Sequence, residues 1–149
     1  MFGLTKDPDA ATLRHETIAE SIGKLLLRIT IGGLMLFHGV NKIQNGIGGI
    51  TGMVQGAGLP GFLAYGVYVG EVVVPILIII GLFTRMSSLI LAFNMVVAIA
   101  LAHAGDLFSI GGHGEWAIES PMLYLLPSIV IALLGPGRFA VHRRTGPLA

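Results

Sequence analysis

The chain has 149 residues, of which 54% are hydrophobic and only 11% charged, a balance too apolar for a soluble domain of this size and one that places it in the membrane class. Its formal charge is +1, and no basic patch with interleaved aromatics is present, so nucleic acid is not expected as a partner. Cysteine is absent, which excludes disulfides, thiolate metal sites and direct dithiol exchange.

Residues 1–21 read as a cytoplasmic lead-in, with Asp7-Pro8-Asp9 followed by Ala11, Leu13, Ile18 and Ile22 loosely spaced for a short surface helix. The first apolar run is preceded by polar-to-mixed sequence without an A-x-A-like cleavage site, so it is expected to be a retained helix rather than a signal peptide. Four stretches supply the roughly 20 apolar residues of a helical crossing: 22–43, 62–83, 87–104 and 116–134. The fold expected is therefore all-α, an integral membrane four-helix bundle over residues 22–137 in contact with the lipid bilayer, with a basic cytoplasmic tail over 138–149. Arg14, Lys24 and Arg28 lie before or early in the first helix, Arg85 between the second and third, and Arg138, Arg143 and Arg144 after the fourth. The positive-inside tendency then predicts both termini in the cytoplasm, N-in and C-in. Lys42 is the dissenting charge, at the outer end of the first helix.

The connection "QNGIGGITGMVQGAGLPG" is rich in glycine, which argues for irregular backbone. Ile43, Ile47, Ile50 and Val54 nevertheless recur as in an interfacial or re-entrant helix, and the sequence leaves the two open. In the second helix, Gly66 and Gly70 form a small-xxx-small pair. Pro75 removes the backbone bond to the carbonyl of Glu71, so a kink is expected just beyond that residue. Pro121 and Pro127 flank the corresponding region of the fourth helix. A faint internal repeat is also visible. The first and third helices each carry a histidine near the outer end, and the second and fourth each run from glutamate through proline to Gly and Arg at the inner end.

Ionisable residues within a bilayer cost roughly 2.5–3.5 kcal/mol at a helix centre, so each needs a partner or a purpose. Glu71 falls near the middle of its helix, whereas Glu119 is one turn into the fourth. Burial favours the neutral form of either carboxyl and a nearby His or Lys the ionised form, and both remain open. On the first helix His38 and Lys42 are about 40° apart and Arg28 within roughly 80° of both, a face expected to point inward. His38, Lys42, His103 and Glu119 should come to similar depth, with Glu71 deeper, as a polar pocket of the kind that holds cofactors or moves protons. Tyr68, three residues before Glu71, could donate to its carboxylate. Trp116 and Tyr65 look like interface anchors. Against this stands the plainer reading in which such residues only hydrogen-bond across helices and Lys42 snorkels to the interface. Function is favoured for Glu71 and for the pair His38 and His103; structure or topology is favoured for Arg28, Asn94 and Arg85.

In order along the chain stand "LLLRITIGGLMLFHGVNKI", "GLP", "GEVVVPILIIIGLFTR", "MVVAIALAH", "ESPMLY" and "LLGPGR". This order and spacing over about residues 22–140 resembles the DoxX family of small four-helix membrane proteins. The resemblance implies a bacterial inner-membrane location and matches His38, Lys42, Glu71, His103 and Glu119. It also implies association with membrane redox systems, since the DoxD subunit of thiosulfate:quinone oxidoreductase is similar, as is a membrane component linked to sulfurtransferase and superoxide dismutase.

The leading expectation is a redox-associated subunit whose pocket of His38, Lys42, Tyr68, Glu71, His103 and Glu119 binds a quinone, with Glu71 and His38 handling protons. Without cysteine, electrons must come from a partner redox protein or a haem; a homo-oligomer is the other assembly expected. A second reading makes His38 and His103 ligands to haem b or a metal ion. A third is a non-catalytic scaffold or assembly factor, and a fourth a small-solute or proton carrier. No nucleophile–base arrangement, Walker loop or zinc triad is present, so a self-contained hydrolase is not expected.

Overall fold

The first helix begins where a capping box can form. In the computed structural model, which describes residues 16–141, the Thr17 hydroxyl accepts from the Glu20 backbone N–H (3.1 Å) and the Glu20 carboxylate accepts from the Thr17 N–H (2.8 Å). Two of the orphan donors of the helix start are thereby satisfied, and α1 (Ile18–Asn45) starts four residues earlier than apolarity alone predicts. Ser21, Arg28 and Met35 recur at heptad spacing on its buried stripe, beside Gly32 and Gly39. The rest of the expected lead-in and most of the basic tail lie outside the described residues.

The glycine-rich connection contains a helix of its own, α2 (Gly48–Gly56). Ile47 and Val54 are buried against Ala64 and Val67, with Ile50 half-buried beside them. Gly48, Gly49, Gly52 and Gly56 have open space where a side chain would stand. Apolar burial thus outweighs the low helix propensity of glycine. The described residues therefore hold five helices, one more than the four expected. Ile43, which shares the spacing, is exposed.

The helical segment α3 (Gly61–Ile80) opens with a tight turn at Gly61–Tyr65 and widens at Val69–Val73, where the Val74 N–H bonds to the Val69 carbonyl. Pro75 has no N–H to give to Glu71, so the irregularity predicted there takes the form of a widened turn, a feature often found at functional positions. α1 approaches α3 closely at this level. A Cβ on Gly39 would collide with the Glu71 carbonyl oxygen and Val72, and one on Gly32 would stand 2.9 Å from the Pro75 carbonyl oxygen. Gly39→Ala should therefore lower stability by about 1–3 kcal/mol. Gly66→Ala, with open space at its position, should not, and unfolding of the two variants in mild detergent compares them directly. Of the predicted small-residue pair, only Gly70 makes room for a neighbour, the side chain of Asn94.

Gly81, in the left-handed region at φ 75°, ends α3 and turns the chain into α4 (Thr84–Ala102). The last helix, α5 (Glu119–Leu134), has 16 residues. The preceding residues, expected to be helical, instead close the loop: Trp116 pairs with Ile110, its indole N–H donates to the Leu107 carbonyl (2.7 Å), and Ala117 N–H donates to Ser109. Three helices, α1, α3 and α4, are long and apolar enough to cross a membrane, and α5 is a shorter apolar helix. α1 packs on α3 and α5, and α4 packs on the same two.

Burial runs opposite to that of a water-soluble protein. Phe37, Phe62, Phe93 and Leu133 are each about 70% exposed or more, while Arg28, Glu71, Ser21, Thr84, Ser87, Ser88 and Ser128 are buried. Apolar perimeters with polar interiors suit a hydrocarbon solvent, in which the bundle interior is the place for polar groups.

Candidate functional site

The heptad stripe of α1 carries Lys42 inward, and its ammonium forms an ion pair with Glu71 Oε1. Lys42 therefore does not snorkel outward. The Glu71 side chain is only 5% exposed against 25% for Lys42, and its second oxygen, Oε2, is buried with no hydrogen-bond partner among the described residues. A carboxylate oxygen left so would normally carry a clear desolvation cost.

Glu71 faces a cleft of about 160 Å³ between α1, α3, α4 and α5, lined by Met35, His38, Glu71, Met95, Ala98, Ala102, His103, Ser120, Pro121 and Tyr124. Met35, Met95 and Glu71 are buried and form its depth, whereas His38, Ala102 and Ser120 are exposed and form its mouth. His38 is thus at the margin of its helix face rather than inside. Its ring meets the edge of Tyr124 with centroids 5.6 Å apart. His103 ends α4, its N–H closing on the Ile99 carbonyl, and this places its ring at the cleft.

Of the predicted site, His38, Glu71 and His103 come together and Lys42 joins them through Glu71. Tyr68 does not reach the carboxylate: it precedes the widened turn, and its hydroxyl donates to the Lys42 carbonyl (3.3 Å). Glu119 is exposed at the start of α5, accepting from the Trp116 N–H (3.3 Å). The repeat fails in register here. Both second helices end at a positive-φ glycine, Gly81 or Gly135, but Glu119 stands six residues further from its glycine than Glu71, about 9 Å along a helix. Tyr124, Met35 and Met95 were not singled out from the sequence. Tyr124, Ser128 and Ile131 do follow the i, i+4, i+7 pattern of a buried helix face, which was the available signal.

Arg28 and Arg85, for which the sequence favours structure or topology, both bond to backbone carbonyls. Arg28 is 1% exposed and donates to the carbonyls of Ile78, Ile79, Pro136 and Phe139. Arg85 donates to the Ala132 carbonyl (3.1 Å) at the end of α5. No group of three His, Cys, Asp or Glu suited to a metal ion occurs among the described residues. A porphyrin does not fit the cleft either, since a cavity of roughly 150 Å³ takes a single benzene ring.

The DoxX family model matches residues 23–104, which covers α1 to α4 with His38, Lys42, Glu71 and His103, but not Tyr124. A protein of Bacillus subtilis (strain 168) named "Putative oxidoreductase CatD" is 34% identical over 117 residues, 76% of this chain and 80% of that one. A Haemophilus influenzae (strain ATCC 51907 / DSM 11121 / KW20 / Rd) protein named "Uncharacterized protein" is 36% identical over 103 residues, 66% of this chain and 75% of the relative. No solved structure matches the chain. With over half its length matched by the family model and its apolar helices long enough to cross a bilayer, this chain is a membrane protein belonging to the DoxX family.

Proposed function

We propose that this protein is the ring-binding membrane subunit of a quinone-linked redox system in the bacterial inner membrane. The observation that carries the reading is the buried, unpartnered Oε2 of Glu71 in a cleft that also holds His38, His103 and Tyr124. The cleft volume of about 160 Å³ suits one six-membered ring. The thioethers of Met35 and Met95 line it, a soft surface that favours aromatic rings. The oxidoreductase name of the Bacillus relative points the same way. In this reading Glu71 and His38 accept the protons that leave the ring oxygens on oxidation, and a partner redox protein or a second copy of the chain supplies or takes electrons. α1, α3, α4 and α5 form a four-helix bundle in the bilayer, with Glu119 shallow at its outer end. Lys24, Arg28, Arg85 and Arg138 gather at one end, which supports a cytoplasmic placement of that end and of both termini.

The test is purification in mild detergent, followed by an absorption spectrum, metal analysis and organic extraction. Quinone should co-purify with the native chain and fall at least about tenfold in Glu71→Gln and in His38→Ala, the scale of one lost charge-assisted hydrogen bond. Protein that folds, carries no quinone and binds none when it is added would be a scaffold instead. For topology, a reporter active only outside the cytoplasm should be silent when fused after Val141 and active when placed in the 105–115 loop.

A further inference from the structure

Resting on the ring-site reading, we infer that the cleft selects the reduced, hydroxyl-bearing form of its ring and rejects the carbonyl form, with Glu71 as the selecting group. The argument is one of donors and acceptors. Paired through Oε1 with the Lys42 ammonium, Glu71 is a carboxylate, and a carboxylate only accepts hydrogen bonds. Its other oxygen, Oε2, is buried with no donor among the described residues, so a ring hydroxyl placed there completes it. A ring carbonyl in the same place sets lone pairs against a buried anion and leaves both oxygens unsatisfied.

No group facing the cleft reverses this preference. Lys42, the cation nearest in the chain of contacts, does not line the cleft, and its ammonium is directed to Oε1. The other polar groups at the cleft, His38, His103, Tyr124 and Ser120, can each donate or accept when the imidazoles are neutral. They can therefore serve the second ring oxygen in either form without discriminating. Selection falls to the one group that can only accept. Tighter binding of the reduced form raises the two-electron potential of the bound pair by roughly 30 mV for each tenfold preference.

The test is equilibrium dialysis of the full chain in detergent, with empty micelles as the partition control, kept anaerobic. Three ligands are compared: tetramethylhydroquinone, tetramethylbenzoquinone and the dimethyl ether of the hydroquinone. In the first two every ring carbon is blocked against addition by lysine. The hydroquinone should bind roughly 10–100-fold more tightly than either of the others, the scale of a charge-assisted hydrogen bond. In Glu71→Gln, whose amide both donates and accepts, the preference should collapse because the benzoquinone gains as the hydroquinone loses. Equal or tighter binding of the benzoquinone by the native chain overturns the inference while leaving the ring site standing. So does an undiminished preference in a folded Glu71→Gln variant. Failure of all three ligands to bind overturns the ring site itself. If Glu71→Gln does not fold, the comparison of hydroquinone with its ether on the native chain decides alone, and equal binding of the two defeats the inference.

Discussion

Lys42→Met should destabilise the protein by about 3 kcal/mol, at the lower end of the range for breaking a buried ion pair from one side because Lys42 is itself 25% exposed. Methionine keeps the unbranched stem and removes the charge, so the loss reports on the ion pair rather than on packing. Among the described residues it strips from Glu71 Oε1 its one partner while Oε2 already has none, leaving a carboxylate 5% exposed with no compensation. The variant Lys42→Met/Glu71→Gln should recover most of the loss, since neutralising both members of a buried pair costs far less than orphaning one. A double-mutant cycle on unfolding midpoints in one detergent measures the coupling. If Lys42→Met unfolds with the native chain, Lys42 does not hold Glu71 in the folded protein, and the acceptor-only character of Glu71 loses its basis.

The ring-binding reading and the stability of the site make opposite demands on Glu71. An unpartnered buried oxygen destabilises the empty protein, and the same oxygen is what a donor ligand would satisfy. Local rules broken without local compensation are the usual mark of a functional position. Thr84 Oγ1, Ser88 Oγ and Asn94 Nδ2 are also buried without hydrogen-bond partners among the described residues, but none of the three lines the cleft. Thr84 and Ser88 are buried small residues of α4, of the kind that lets helix backbones approach.

The apolar runs made the long helices legible, because a bilayer demands length and hydropathy and little else. The boundaries were less legible because caps decide them: Thr17 and Glu20 extend α1 beyond its apolar stretch, and the hydrogen bonds around Trp116 hold the chain out of helix before Glu119. α2 was half-legible. Its 47, 50, 54 spacing is helical, but its glycines signal the reverse, and only contact with Ala64 and Val67 settles the conflict. Within the site, the cost of burying charge singled out Glu71, His38 and His103, which line one cleft. That rule is blind to Met35, Met95 and Tyr124, which carry no charge and differ from filler only through what they face. It also drew Glu119 into the pocket, as a shallower member than Glu71, since a composition-level repeat does not reveal a six-residue difference in register. The outward Lys42 expected for an isolated side chain gave way to an inward one because Glu71 sits across from it on α3.

Arg28→Met should cost about 4 kcal/mol, the largest loss among single substitutions outside the cleft. The guanidinium reaches the Ile78 carbonyl through Nε (2.8 Å), Ile79 through Nη2 (2.7 Å), and Pro136 and Phe139 through Nη1 (2.6 and 3.0 Å). Two of these carbonyls belong to the last turn of α3, where the helix has run out of its own donors and a cation meets the negative end of the dipole. The other two belong to the chain after α5, so a single side chain from α1 ties three segments together. Gly81 is part of the same arrangement: a Cβ there would come within 2.5 Å of the guanidinium. Methionine would take a donor from all four carbonyls, of which Ile78 keeps the longer bond from the Gly81 N–H (3.2 Å). Arg28→Lys should recover less than half of the loss, because one ammonium cannot copy a planar fork that spans both segments. Hydrogen exchange should quicken first around residues 78–82 and 136–141, where the lost bonds lie, and later in α4. An Arg28→Lys variant with native midpoint and native exchange would show that the charge alone secures this end of the bundle, and that the fork geometry is dispensable.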